Sequence, residues 1–134
     1  MRRNNGTLNG QLARVISETG HTDQIVITDA GLPIPPAVER VDLAIKPGLP
    51  AFFDVLDAVF DELQIEGAVM SEEIRSASPE MLHEIEDRLA ACGVTATFVP
   101  HTDFKAATGG ARAAVRSGEF TPYANVLLTA GAVY

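Results

Sequence analysis

Short runs of consecutive apolar residues alternate along this chain with segments whose apolar residues follow helical spacing. The clearest runs are residues 25–27 (Ile-Val-Ile) and 126–128 (Val-Leu-Leu). A continuous apolar run of this length is typical of a strand that is buried on both faces of a sheet. Such a sheet needs a covering layer on each side, and the intervening helical segments can supply both. The pattern predicts a three-layer α/β/α domain with a largely parallel or mixed central sheet.

Three segments carry the apolar spacing and the end signals of helices. Asn9 is a good N-cap for the first, which Gly20 ends. Ser78 is predicted to cap the third, with Pro79 at its first position and Gly93 after its end. The predicted buried stripes are Leu12, Val15 and Ile16 in the first helix, Phe52, Leu56, Val59, Phe60 and Leu63 in the second, and Leu82, Ile85, Leu89 and Cys92 in the third.

Four further stretches complete the prediction. Strands are expected at residues 41–45, 67–70, 95–99 and 126–130, in addition to the strand at 25–27. Residues 101–107 are expected to form a short helix or turn. Between residues 29 and 36, the prolines and a glycine predict a stiff loop that leaves the end of the first strand.

Length and charge limit the classes of function. The chain has 134 residues, 46% of them hydrophobic, which fits one compact domain spanning residues 1–134. Ten Lys and Arg residues stand against 18 Asp and Glu, for a net charge of −8. This charge repels phosphate backbones and anionic lipids, so neither nucleic acid nor membrane is expected as a partner. A neutral small molecule remains compatible with it.

The cysteine count and the lack of long apolar segments bear on metal binding and on the cellular compartment. Cys92 is the only cysteine, so neither a disulfide framework nor a cysteine-based zinc cluster is expected. The first six residues lack the apolar core of a signal peptide, and no apolar run approaches the roughly 20 residues that span a bilayer. We therefore expect a soluble, cytoplasmic protein.

Asp29 and His101 follow two predicted strands directly. In open α/β sheets, ligands bind in the crevice beyond the carboxyl ends of the strands, where both residues would lie. Asp29 has two interpretations: its carboxylate either caps the turn at Ala30 and Gly31 or accepts hydrogen bonds from ligand hydroxyl groups. His101 is likewise either a ligand-binding residue or an exposed residue near a helix start.

His21 is the sharpest single candidate for proton transfer, because an imidazole titrates at about pH 6.5 in the absence of perturbation. The alternative is a turn histidine with a local hydrogen bond. His21 precedes the first strand and so lies at the end opposite Asp29. It could join the same site only if it projects into a site completed by another subunit. His83, on the polar side of a helix, is expected to be solvated. The three histidines match no metal-binding motif, so no metal is expected.

Tyr123 and Asn125 place a phenol and an amide just before the last strand. Such groups orient neutral polar ligands, although a packed Tyr and a capping Asn are equally ordinary. Glu72 and Glu73 could be ligands, but an adjacent acidic pair usually marks a solvated helix start. The glycines fit no nucleotide-binding motif, so no cofactor is expected.

Residues 20–35, GHTDQIVITDAGLPIP, resemble the signature of the D-ribose pyranase and L-fucose mutarotase family. Shorter matches follow in order along the chain: RVDLA at 40–44, GLP at 48–50, EEI at 72–74, His101 with Phe104 and Lys105, RSGE at 116–119 and PYAN at 122–125. Thr22, the Asp-Ala-Gly-Leu-Pro stretch from Asp29 and the Tyr-Ala-Asn stretch from Tyr123 are similar to the ribose branch of that family.

The resemblance implies a cofactor-free sugar mutarotase that interconverts pyranose and furanose forms of free D-ribose. By position, His21 would be the catalytic proton donor, and Asp29, His101, Tyr123 and Asn125 would bind the sugar. The family also implies a homodecamer of two five-membered rings with sites at subunit interfaces. In such an assembly, His21 could reach a site on a neighbouring subunit although it lies far from Asp29 in its own chain.

Several alternatives remain open from the sequence. The general base could be His101, Asp29 or a bound water. The chain could instead be a sugar-binding or transport accessory module without catalysis, because only His21 argues for turnover. Within the family, the substrate could be fucose or another monosaccharide.

Overall fold

The computed structural model describes residues 1–3 and 5–134; Asn4, in the polar N-terminal stretch, lies outside them. The described residues form five helices and six strands, interspersed along the sequence. In order they are α1 (Gly10–Glu18), β1 (Gln24–Thr28), β2 (Glu39–Asp42), α2 (Phe52–Phe60), β3 (Ile65–Ser71), α3 (Ile74–Ala77), α4 (Pro79–Ala91), β4 (Thr97–Val99), α5 (His101–Ala107), β5 (Ala113–Arg116) and β6 (Val126–Ala130), with a 3₁₀ turn at Thr108–Gly110.

The six strands form one mixed sheet in the order β2-β5-β1-β6-β3-β4. β1 and β2 each pair in parallel with β5, and β3 pairs in parallel with β4. β6 lies antiparallel between β1 and β3. The carboxyl ends of five strands therefore share one edge with the start of β6, and we call this edge the carboxyl edge. The opposite edge carries the start of β1 and the end of β6.

Side chains alternate along β1 between two covering layers, as the pleat of a strand requires. Ile25 and Ile27 pack in the larger core with the apolar stripes of α1, α2 and α4. Val26 points to the other face, where Phe104 of α5 and Leu32 of the proline-rich loop cover the sheet. The predicted three-layer α/β/α architecture with a mixed sheet is confirmed.

Two elements were not predicted, and β5 is the more important. Its sequence, Ala-Ala-Val-Arg, is too poor in β-branched and aromatic residues to indicate a strand. Nevertheless β5 lies between β1 and β2, with Ala113 opposite Ile25 and Ala113 to Val115 buried. The helix α3 has only four residues and gives no periodicity to detect. The predicted strand at 41–45 begins earlier, at Glu39, and ends at Asp42. The strand predicted at 95–99 begins later, at Thr97.

Helix ends follow the sequence with three corrections. The first is that α2 ends at Phe60, so Leu63, predicted to lie in its buried stripe, falls beyond the helix. Asn9 caps α1 as predicted, because its Oδ1 accepts a hydrogen bond from Leu12 N–H at 2.9 Å. Pro79 is the first residue of α4, but the hydroxyl of Ser78 does not cap this helix. It donates instead to the carbonyl of Pro122 at 2.7 Å. Cys92 is exposed just beyond the end of α4 and does not belong to its buried stripe.

Within the described residues, no helix is both long enough and apolar enough to cross a membrane.

Gly118 packs its backbone against the protruding turn that precedes α2. Its N–H donates to Pro50 O at 2.8 Å, and its carbonyl accepts from Gly48 N–H at 2.7 Å. A Cβ at Gly118 would lie 2.7 Å from backbone atoms of Leu49 and Lys46, which cannot move independently of the turn.

We predict that Gly118→Ala destabilises the fold by about 1–3 kcal/mol, the usual cost of overpacking. Gly109→Ala is the matched control, because a Cβ there meets nothing within 4 Å. Urea unfolding midpoints measure both variants. Equal midpoints for the two would contradict the packing derived for Gly118.

Candidate active site

Asp29 and Asn125 form a reciprocal pair at the carboxyl edge, where β1 ends and β6 begins. Asp29 N–H donates to Asn125 Oδ1 at 2.9 Å, and Asn125 Nδ2 donates to Asp29 Oδ2 at 3.1 Å. Asp29 Oδ1 also accepts from the N–H groups of Gly31 and Leu32 at 3.0 and 2.8 Å. The turn-capping role predicted for Asp29 is therefore present, and its second oxygen is held in a fixed position beside a buried amide.

His101 begins α5 just after β4 and is fixed from three sides. Its Nδ1 lies 2.8 Å from the Oγ of Ser71, a fully buried residue at the end of β3. Its backbone N–H donates to Glu73 Oε1 at 3.2 Å. The Tyr123 ring packs edge-on against the imidazole, with centroids 5.0 Å apart. This packing and these hydrogen bonds leave the imidazole one orientation.

Tyr123 adopts a backbone conformation that is rare for a residue with a side chain. Its φ is +62°, and its carbonyl accepts a hydrogen bond from Asn125 N–H at 2.8 Å. Left-handed conformations of non-glycine residues cost free energy and persist where surrounding contacts impose them. Here the tight turn brings the Tyr123 ring to His101 and the Asn125 amide to Asp29. The Ser78 hydroxyl, bonded to Pro122, ties the same loop to α4.

These groups line one open cleft of about 320 Å³ at the carboxyl edge. Its lining consists of Asp29, Gly31, Leu32, Pro33, His101, Lys105, Pro122, Tyr123 and Asn125. The volume is at the lower end of the roughly 300–1,000 Å³ of small-molecule sites. Convergent donors and acceptors next to proline and aromatic surfaces suit a small, polyhydroxylated, neutral ligand. A second cleft of about 370 Å³ shares Asp29 and Gly31 and extends to Arg116, Glu119 and the exposed Phe120.

Glu119 organises the loop that carries Tyr123. Its Oε1 accepts from Phe52 N–H at the start of α2, and its Oε2 accepts from both N–H and hydroxyl of Thr121. Burial disfavours the charged carboxylate, but the hydrogen bonds from Phe52, Thr121 and Phe120 outweigh burial and lower the pKa of Glu119. The carboxylate thus joins α2 to the site loop.

His21 lies at the opposite edge of the sheet, in the turn before β1. Its Nε2 is 2.9 Å from Glu66 Oε2, and about half of its side chain is exposed. Asp23 closes this turn by accepting from Gly20 N–H. That hydrogen bond and the one from Arg112 lower the pKa of the Asp23 carboxyl. The five residues of β1, at about 3.3 Å each, separate His21 from the cleft by roughly 16 Å.

The structure brings together four of the five predicted site residues, Asp29, His101, Tyr123 and Asn125, and leaves His21 apart in the same chain. Sequence reasoning missed Ser71 and Glu66, because buried or paired side chains at these positions give no local motif. Glu73, weighed only as part of an acidic pair, turns out to be half-buried against His101, whereas Glu72 is exposed.

The remaining histidine, His83, is exposed on α4 as predicted and lies 3.5 Å from Asp87. Among residues 1–3 and 5–134, no three potential metal ligands come together.

Comparison with known proteins places this geometry in a class. The model of the RbsD / FucU transport protein family matches residues 2–133. The chain therefore belongs to the RbsD / FucU family.

Individual relatives narrow the comparison. The chain is 52% identical to the D-ribose pyranase of Laribacter hongkongensis, over 98% of this chain and 99% of the relative. It is 48% identical to the D-ribose pyranase of Geobacillus kaustophilus, over 96% of this chain and 93% of the relative. The structure of Bacillus subtilis RbsD complexed with D-ribose superposes with a TM-score of 0.94 at 40% identity and full coverage of both chains.

A more distant neighbour shares the fold alone. The fucose mutarotase of Streptococcus pneumoniae, solved in complex with L-fucose, superposes with a TM-score of 0.76 at 23% identity, over 93% of this chain and 94% of the neighbour.

We predict that Asn125→Asp destabilises the protein by about 1–3 kcal/mol at neutral pH, because the buried amide donor to Asp29 is replaced by a second acceptor. Asn9→Asp is the matched control, since Asp caps a helix as well as Asn does. Chemical denaturation of both variants measures the difference. An Asn125→Asp midpoint equal to that of the control would refute the role of the reciprocal pair.

We predict that Glu119→Gln lowers stability by about 1–3 kcal/mol at pH 7. Because the folded pKa of Glu119 is lowered, its contribution is complete above the ordinary value of 4.5 and is lost as the pH falls through the folded value. The stability gap between wild type and variant should therefore narrow in acid. Unfolding curves at a series of pH values test this, with the exposed Glu72→Gln as control; a gap that widens in acid would disprove it.

Proposed function

We propose that this protein is a D-ribose pyranase, a sugar mutarotase that interconverts the pyranose and furanose forms of free D-ribose by acid–base ring opening. The observation that carries the proposal is the cleft at the carboxyl edge, whose polar groups suit a neutral polyhydroxylated ligand. The full-length similarity to proteins named D-ribose pyranase and to a structure with bound D-ribose supports it.

The reaction needs only proton transfers. A proton is delivered to the ring oxygen, the bond from that oxygen to the anomeric carbon breaks, and the anomeric hydroxyl loses its proton to a base. The open aldehyde then closes through a different hydroxyl group, with the reverse transfers. General acid–base catalysis contributes about 10²–10⁴-fold to such steps, which requires no cofactor.

In this proposal Asp29, Tyr123 and Asn125 bind the sugar, and His101 serves as the general base. The oxygens of Asp29 already accept hydrogen bonds from Gly31, Leu32 and Asn125, which suits orientation of a hydroxyl group better than removal of its proton. For His101, an Nδ1–H that donates to the oxygen of Ser71 would leave the Nε2 lone pair available to the anomeric hydroxyl.

His21 is the proposed acid, supplied to the cleft by a neighbouring copy of the chain. Support comes from the separation of His21 from the cleft along β1 and from the exposed apolar side chains Leu49 and Phe120 near the carboxyl edge. A homodecamer of two five-membered rings, acting in the cytoplasm, is the assembly and the location that we propose.

The decisive experiment is NMR saturation transfer between ribopyranose and ribofuranose signals. We predict exchange well above the buffer rate with wild type and a loss of about 10²-fold or more with His21→Ala. Binding of ribose without faster exchange would identify a binding module instead. Faster exchange with L-fucose than with D-ribose would identify L-fucose as the preferred substrate.

The shared site has its own test. We predict that His21→Ala and His101→Ala, each inactive alone, regain activity when mixed subunits are co-assembled. Random pairing gives about a quarter of sites both histidines, so about a quarter of wild-type exchange should return. Each variant taken through the same assembly procedure alone is the control. If the co-assembled mixture stays inactive at native size, His21 and His101 do not act across one interface.

A further inference from the structure

The carboxylate of Glu66 is the one partner that the described residues give to the imidazole of His21. Glu66 Oε2 lies 2.9 Å from His21 Nε2, and the two side chains come from different elements, β3 and the turn before β1. Both are about half exposed, so the pair contributes little to stability. Its consequence lies in which nitrogen of His21 carries the proton.

Both partners are held by neighbouring strands at this edge. The backbone of Thr22, at φ +72°, donates to Ala130 O at the end of β6 at 2.9 Å, which fixes the residue after His21. Glu66 lies over Gly131, where a Cβ would come within 3.2 Å of Glu66 Cβ and 3.4 Å of its Oε2. The left-handed turn and the glycine together let the carboxylate reach the imidazole.

An ionised carboxylate only accepts hydrogen bonds, so the Nε2 that faces it must carry a hydrogen. In the neutral imidazole, the lone pair is then on Nδ1. In the imidazolium, the hydrogen on Nδ1 is free to leave, while the hydrogen on Nε2 stays on that nitrogen because it is hydrogen-bonded to Glu66.

We infer that Glu66 is a positioning residue that holds His21 in the Nε2–H tautomer and makes Nδ1 the nitrogen that exchanges a proton with the sugar. This inference rests on the proposed function. In the ring-opening step, Nδ1–H of the imidazolium protonates the ring oxygen, the bond to the anomeric carbon breaks, and the anomeric hydroxyl gives its proton to the base, His101. His21 becomes neutral with its hydrogen still on Nε2. On ring closure, the attacking hydroxyl gives its proton to Nδ1, and the base returns its proton to the aldehyde oxygen.

The first test reads the tautomer directly and does not depend on activity. The chain has three histidines, so ¹⁵N-histidine labelling gives few ring signals, and His21→Ala identifies those of His21. We expect the neutral His21 of wild type in the Nε2–H form and a mixture of tautomers in Glu66→Gln, whose amide can donate as well as accept.

The second test reads catalysis in the assembled protein. We expect Glu66→Gln to lower kcat for ribose exchange at least about 10-fold while KM stays within about twofold, because a positioning residue acts through His21 and not on the sugar. Glu66→Asp keeps the charge and should restore part of kcat. Asp87→Asn, which removes the partner of the exposed His83 at 3.5 Å, is the matched control and should leave exchange unchanged.

The outcomes separate the inference from the proposed function. A Glu66→Gln protein that keeps the Nε2–H tautomer, or that keeps wild-type kcat, overturns the positioning role alone. A variant that changes only KM overturns it too, since Glu66 would then bind substrate. A wild-type protein without exchange overturns both. If Glu66→Gln fails to assemble, Glu66→Asp supplies both measurements, and wild-type kcat together with mixed tautomers would refute the inference.

Discussion

The reciprocal hydrogen bonds between Asp29 and Asn125 are the interaction on which the cleft depends. They join the end of β1 to the start of β6, two antiparallel neighbours whose ends would otherwise diverge into separate loops. Because Asn125 is almost fully buried, its amide has few ways to be satisfied other than through Asp29. The pair therefore fixes the loop that carries Tyr123 and, through that ring, the orientation of His101.

The insertion of β6 into an otherwise parallel sheet gives this arrangement its geometry. An antiparallel strand begins at the edge where its neighbours end, so the residues before β6 meet the residues after β1, β3 and β4. Asp29, Ser71 and His101 lie at the ends of strands that run in the same direction, and the reversed direction of β6 brings Asn125 to them. The same strand ends at the opposite edge, where Ala130 holds the turn that carries His21.

The sequence predicted much of this structure, in terms that can be explained physically. The strands at residues 25–27 and 126–128 were recognisable, because strands buried on both faces need uninterrupted apolar side chains. Four cleft residues followed from their positions beside strand ends and from the family resemblance. β5 could not be predicted, because alanine is depleted in strands and Ala-Ala-Val-Arg contains a single β-branched residue. Ser71 and Glu66 could not be predicted either, since their roles depend on partners 30 and 45 residues away.

Backbone strain distinguishes the two functional regions from the rest of the described chain. Among the described non-glycine residues, only Thr22 and Tyr123 have positive φ, and each lies within two residues of a proposed acid or sugar-binding side chain. A glycine would adopt either conformation at less cost, but it would carry no side chain and would leave the turn more freedom in the unfolded chain. At Tyr123, the left-handed backbone places the ring against His101 and so fixes the orientation of the imidazole. At Thr22, it fixes the backbone beside His21, and in our proposal this allows the carboxylate of Glu66 to set the tautomer of a half-exposed imidazole.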